Sequence, residues 1–440
     1  MISSPNPAVM QSIEELNYRV TVGDVASKSG LDLKIVQQEL LNLASDTNGN
    51  LQVAETGDIA YLFSPNFRSI LRNKYWQLRW QKFLQKTWQI IFYLIRISFG
   101  ILLISSIILM LVAILVIVIA INSKNDSDSD SNSNSSRQEG GTFFFPRFWF
   151  SPDIFWIFTP NYQQKRYQRQ ISNSSENELN FLESIYSFLF GDGNPNANFE
   201  EKRWRSIATT IQNNNGAIIA EQLAPYLDNI NIYNERDEGY VLPVLIRFNG
   251  YPEVSEKGEI IYYFPELQVK AEAREKVAIS PYLKENLWQF SQATSSQKIL
   301  AIVLGAVNIV LALVLGSLLT PEIAEEIGGF ILFIDFLYPL LLTYAISYLT
   351  IPLIRYFWLQ NRNNKVNERN NKREQKANIL KSSKELELKI NYAQQFANQT
   401  IINQENLAYS TEKDLLDQQL TQKDKIDQQW QKRLRQKKDE

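Results

Sequence analysis

Neither cysteine nor histidine occurs anywhere in the 440 residues. Their absence excludes a disulfide framework, thiol redox chemistry, cysteine nucleophiles and histidine general bases. It equally excludes zinc or iron–sulfur sites built from the chain's own Cys or His ligands. An excess of one charge is also lacking: 45 basic residues face 47 acidic ones, so no global polyelectrolyte partner is implied. No nucleophile with a base, no phosphate loop and no metal cluster is present in the pattern, so the sequence points to no enzyme and no cofactor. The first residues, MISSPNP, lack the charged-then-apolar pattern of a signal peptide.

What is present is a stretch that occurs twice. NGNLQVAETGDIAYLF, beginning at Asn48, and NGYPEVSEKGEIIYYF, beginning at Asn249, align without a gap. Both read N-G-x-x-x-V-x-E-x-G-[DE]-I-x-Y-x-F, which indicates an internal duplication. Apolar residues alternate on either side of a Glu-x-Gly-acid turn, so each copy is expected to be a β-hairpin.

Residues 1–66 read as a first winged-helix-like domain. A helix is expected at 12–17. Thr21 then caps a second helix, Val25 and Ala26 face inward, Gly30 makes the turn, and Leu33, Val36, Leu40 and Leu43 line a third helix before the hairpin. Residues 163–270 hold a helical lead-in and the second copy, with Leu223-Ala224 in place of Val25-Ala26 and with Pro243 interrupting the third helix. Both copies are acidic. Three basic residues (Arg19, Lys28, Lys34) face eight acids in the first. Phosphate neutralisation needs clustered Lys and Arg, so nucleic acid is disfavoured as a partner. Exposed wing acids Glu55, Asp58, Glu256 and Glu259 are the candidate protein contacts.

The rest is membrane-directed. Residues 67–88 form a basic, Trp-rich juxtamembrane helix suited to membrane lipids. Residues 89–122 contain the uncharged run from 97 to 121 and form a first span, with Arg96 at its start. A disordered linker is expected at 123–142 and an aromatic interfacial or re-entrant segment at 143–162. Further spans are expected at 298–319 and 330–358, joined by a tight acidic hairpin loop at 320–329. Asn308 at mid-depth and Asp335 near the start of the third span are the candidate intramembrane polar residues. With three plain spans and the amino terminus inside, Asp335 would lie at the depth of Arg96 and could pair with it. Residues 359–440 are expected to be a polar helical tail, solvated or self-associating as a coiled coil. The positive-inside rule favours the cytoplasm for both 68–86 and the tail, which requires the aromatic segment to cross. Both winged helices and the tail would then share one side.

LQVAETGDIAYLFSPNFR, LIRISFG, NFLESIYSFLFGDGNPN, YVLPVLIRFNGYPEVSEKGEIIYYFPELQ and FLYPLLLTYAISYLTIPLIRYF together resemble a membrane-protein family of cyanobacteria and plastids. Its plant members carry the label "iron–sulfur cluster biosynthesis family protein". The resemblance implies a thylakoid or plasma membrane of a cyanobacterium and supplies no catalytic residues. Without Cys or His, the chain would at most be a scaffold for proteins that hold clusters. The expected class is therefore a mixed fold: a multi-pass α-helical membrane protein with two winged-helix-like α+β domains and a helical tail. The expected role is a non-enzymatic adaptor or assembly scaffold. The alternatives are an accessory factor in iron–sulfur or photosynthetic complex biogenesis, a channel or transporter component using Asn308 and Asp335, and a membrane-tethered DNA-binding regulator.

Overall fold

The computed structural model describes residues 5–74, 76–125, 180–228, 238–256, 258–403 and 406–412, with positions 414, 416, 418 and 423. The aromatic segment expected at 143–162 lies outside them, as does the expected linker beyond Asn125. The chain divides into two units. One comprises Met1–Leu84, Pro195–Asn286 and Lys365–Glu440, and the other Gln85–Asn194 and Leu287–Asn364.

In the first unit, α1 (Pro7–Glu15) starts earlier than apolar spacing alone suggests. Asn6 caps it by accepting the Ala8 N–H at 2.9 Å, and Pro7 needs no N–H at the first helical position. After β1 (Arg19–Thr21), α2 (Val22–Ser29) opens on a reciprocal box in which Thr21 and Asp24 each bond the other's backbone. Gly30 ends it in the left-handed conformation. Then come α3 (Leu33–Thr47), β2 (Asn50–Ala54), β3 (Ile59–Leu62) and α4 (Phe67–Lys74).

The second half of this unit runs through α5 (Phe199–Asn213), β4 (Ala217–Ile218), α6 (Ala220–Leu223), α7 (Leu242–Phe248), β5 (Tyr251–Val254), β6 (Ile260–Tyr263), α8 (Pro265–Gln268) and β7 (Val269–Lys270). Pro243 does not interrupt a helix here. It sits in the first turn of α7, where its missing N–H costs nothing. The two hairpins keep one register. Leu51 faces Tyr61 and Val53 faces Ile59 in the first; Pro252 faces Tyr262 and Val254 faces Ile260 in the second. Their turn glycines, Gly57 and Gly258, share φ near 90° and 81°. The helix-ending Asn48 and Asn249 are both left-handed, at φ 52° and 49°. One apolar core runs through both halves, from Ile13, Leu40 and Tyr61 to Ile211, Phe248 and Phe264.

The carboxy-terminal region is not wholly helical. A long helix, α9 (Gly329–Ser382), and α10 (Lys384–Ala393) are followed by β8 (Thr400–Ile401) and β9 (Leu407–Ser410). β8 pairs with β7 in parallel, and β9 adds antiparallel to the outer edge of β2. The sheet orders are β1-β3-β2-β9 and β4-β6-β5. Backbone groups at an open strand edge seek partners, and the tail supplies them for the first hairpin.

Among the described residues, three helices are long and apolar enough to cross a membrane: Phe83–Ser123, Ser295–Leu318 and Gly329–Ser382. The first extends unbroken from the basic stretch, since Trp76–Asn125 is one helix. Residues expected to form a tight loop at 320–329 instead make a short helix, Pro321–Ile327, with Thr320 accepting the Ile323 N–H. Packing sets the directions of the spans. Leu103 and Ile107 cluster with Ala301 and Tyr348, whereas Met110 and Ile117 cluster with Leu315 and Ile331. The first two spans therefore run parallel and the third antiparallel to both. The chain leaves the first span at Asn125, yet helix Phe181–Phe190 lies against Gly100, whose missing side chain admits Leu182. Arg355 secures that helix by donating to the carbonyls of Ser187 (3.4 Å) and Phe188 (3.1 Å) at its carboxy-terminal turn and to that of Phe290.

Candidate functional site

The first unit contains a cleft of about 340 Å³ lined from both halves of the duplicated pattern. The first half contributes Lys34 and Gln37 from α3 and Asp58 and Ile59 from the hairpin; the second contributes Ile246 and Glu266. The halves meet closely because α2 lacks bulk where it needs to. A Cβ on Gly23 would collide with the Glu266 carbonyl. On the opposite end of α2, the Gly30 carbonyl accepts from Arg247 Nε (2.9 Å) and Nη2 (2.6 Å), and that guanidinium lies 4.4 Å over the Trp204 ring.

Two carboxylates face this cleft. Asp58 is oriented by the Thr56 hydroxyl, which donates to it at 2.6 Å, while its own carbonyl accepts the Ala54 N–H at 2.8 Å to close the turn. Glu266 follows the second hairpin on the turn that begins at Pro265. Burial pushes its carboxyl above the ordinary 4.5, and the Asp58 charge pushes the same way. The Asp58 charge beside a carboxyl that burial already disfavours leaves room for an incoming cation, and Ile59 and Ile246 give that cation's stem an apolar wall.

Of the wing acids read from the sequence, only Asp58 reaches the cleft. Glu55 is exposed, and its N–H donates to the Asn406 carbonyl at 2.9 Å, at the edge where β9 attaches. Glu256 is exposed on the second turn, and Glu259 is half-buried, with its N–H donating to the Ser255 hydroxyl at 3.1 Å. Glu266 was not singled out in the pattern because its counterpart after the first hairpin is not an acid. The signal that could have found it is the short Phe264-Pro265-Glu266 step, which turns the chain back toward α2.

The intramembrane candidates separate. Asn308 is fully buried and accepts the Ser106 hydroxyl of the first span at 3.1 Å. Arg96 lies beneath two rings, 5.4 Å from the centre of Phe92 and 5.7 Å from that of Tyr186. Asp335 is exposed, beside Ile334, which packs at the Ile117 level. That level is roughly 30 Å along the first span from Arg96. The Arg96–Asp335 pair that three plain spans would allow does not form: the parallel course of the first two spans puts the two residues at opposite ends of the bundle.

A second polar focus lies where the tail meets the second half. Arg373, 3% exposed, reaches Asp228 Oδ1 at 2.6 Å and Glu285 Oε1 at 2.9 Å. Burial works against the Glu285 carboxylate, but hydrogen bonds from Arg369 and Arg373 outweigh it and hold the group below 4.5. Lys389 on α10 likewise meets Glu221 at 2.9 Å and Glu238 at 2.8 Å. These are attachments: each charge is matched within the chain.

No protein-family model matches the chain, and no solved structure does. The chain is 37% identical over 425 residues to an Arabidopsis thaliana protein described as "Uncharacterized protein At5g03900, chloroplastic", covering 93% of this chain and 79% of that one.

Proposed function

The chain belongs to the plastid-related family of Arabidopsis thaliana At5g03900, and we propose that it is a non-enzymatic membrane adaptor that docks a lysine- or arginine-rich protein segment. Two winged-helix modules, descended from an internal duplication, form one body around a shared core, and the cleft between them is the docking site. The observation that carries this reading is the pair Asp58 and Glu266, one acid from each module, facing a single cavity. A cationic side chain entering there relieves both carboxylates, while its methylenes lie against Ile59 and Ile246. The shared register of the hairpins and the paired left-handed Asn residues support the duplication. The membrane is a photosynthetic one in this reading.

The parallel course of the first two spans supports a common side for both modules and the tail. Leu103 near the start of the first span and Ala301 near the start of the second pack with Tyr348 of the third. Single cysteines at exposed Thr56, Glu253 and Ser382 should then share one accessibility to an impermeant maleimide, opposite to that of Glu325→Cys. A split among the first three refutes the common side.

Docking is tested with the full chain in lipid nanodiscs and fluorescent peptides rich in Lys and Arg, with acidic peptides as controls. Binding to the basic peptides is expected to weaken with salt and to fall about tenfold in Asp58→Asn/Glu266→Gln. Absence of binding at low salt, or equal binding by the double variant, refutes it.

A further inference from the structure

The third span faces the second across two glycines. The Tyr348 ring packs where a Gly305 side chain would stand, and the Tyr338 hydroxyl packs where a Gly316 side chain would. This fixes an antiparallel register in which Asn308, one turn past Gly305, lies opposite the stretch from Tyr344 to Tyr348. The rings of Tyr344 and Tyr348 are neighbours, with centroids 6.2 Å apart.

Three polar atoms at this level are buried without a hydrogen-bond partner among the described residues: Asn308 Nδ2, Tyr344 Oη and Tyr348 Oη. Asn308 is 0% exposed and Tyr348 2%. The Asn308 carbonyl is already engaged, since Ser106 donates to it. What is left over is therefore one amide N–H pair and two phenol O–H groups, all able to donate. Buried polar groups in folded proteins are nearly always satisfied, and hydrocarbon surroundings make an orphan costlier still. The three unpartnered groups lie within about one helical turn of one another and share the need for an acceptor.

We propose that the bundle binds a neutral oxygen acceptor at this level, held by Asn308, Tyr344 and Tyr348. The chemistry selects the class. An anion would find no positive side chain among these three, and a metal cation cannot use an amide N–H. A neutral oxygen with two lone pairs accepts from the amide and a phenol together. Two sources offer it: water, and the carbonyl of a lipid-soluble molecule. The aromatic wall formed by Tyr344, Tyr348 and Phe188, whose ring centroid is 6.2 Å from that of Tyr348, suits either.

The test turns on sign. Removing a hydroxyl that has no partner relieves a buried polar group and raises the unfolding temperature; removing one that holds an acceptor lowers it. Full-length protein in mild detergent is compared with Tyr344→Phe, Tyr348→Phe and the double variant. These changes delete one oxygen each and keep the ring packing. The expected result is a drop of about 2–4 °C for each single variant. Unchanged or raised midpoints in both overturn the proposal. Organic extraction and mass spectrometry distinguish the sources. A near-stoichiometric carbonyl compound in the wild type, lost in the double variant, identifies a lipid-soluble ligand. A lowered midpoint with no such compound identifies water.

Discussion

The two halves of the first unit have hairpins of the same register, yet the tail extends only the first hairpin. The first offers a strand edge. Leu51 donates its N–H to the Thr411 hydroxyl at 2.8 Å and accepts the Thr411 N–H at 3.0 Å, so β9 continues the sheet. The second cannot do this at the same position, because the residue corresponding to Leu51 is Pro252, which has no N–H to offer. Its β5 stays exposed along its length, and the tail is held there by β8, which pairs with β7 in parallel, and by buried cations, Arg373 and Lys389, set against carboxylates. One hairpin is thus extended, and the other is protected from extension at the matching position. At the hairpin edge a single prolyl ring separates the two outcomes, and in the second half the tail attaches through β7 and the charge pairs.

The largest way to break this comparison is Arg373→Met. Removing the guanidinium leaves Asp228 and Glu285 without their buried partner, and the unit should lose about 3–5 kcal/mol. Limited proteolysis should then cut near residue 383, while the β2–β9 pairing should persist in hydrogen exchange. Loss of both attachments together would show that they are not separate devices.

Acidity should separate the two carboxylates next. Glu285 is held below its ordinary 4.5, so its contribution is present above that value and is lost as pH falls below it. Glu266 is pushed above 4.5, so its cost is absent in acid and grows as pH rises past that value. Glu285→Gln should lower the unfolding midpoint at pH 7 and converge with the wild type in acid. Glu266→Gln should raise it at pH 7 and also converge in acid. Midpoints followed from pH 7 to 3.5 check both signs.

The smallest effect comes from exchanging the edge residues. Leu51→Pro should weaken β9 by about 1 kcal/mol, read as faster amide exchange at Thr411. Pro252→Leu should leave stability nearly unchanged but give β5 a donor, and self-association by light scattering should rise. An unaltered edge in both variants would remove Pro252 as the cause of the difference.

Much of this was legible in the chain. Thr21 and Gly30 announced α2 because caps and left-handed ends are local chemistry. The two hairpins followed from alternation and turn glycines for the same reason. The spans were evident from uncharged length. Local rules failed where partners are distant in sequence. The stretch from Thr400 to Ser410 reads as polar and helical, but strand edges at β7 and β2 claim it. Asp58 was legible as a turn acid; its meeting with Glu266 was not, because that depends on how α2 seats against α8. The choice between a shared side and an Arg96–Asp335 pair turned on the direction of one span, which hydropathy does not encode.

The sequence by itself determined which segments are apolar enough for a bilayer, where helices start and stop, that the hairpin is repeated, and that no Cys or His chemistry is available. These depend on residues within a few positions of one another. Only the tertiary structure decided that the first two spans run parallel, that the tail extends the first hairpin with β9 and meets the second half through β8 and buried cations, and that Asp58 and Glu266 share a cleft. Each is a contact between residues far apart in the chain. Such contacts are selected by the burial of whole surfaces together, and no local pattern records which surface meets which.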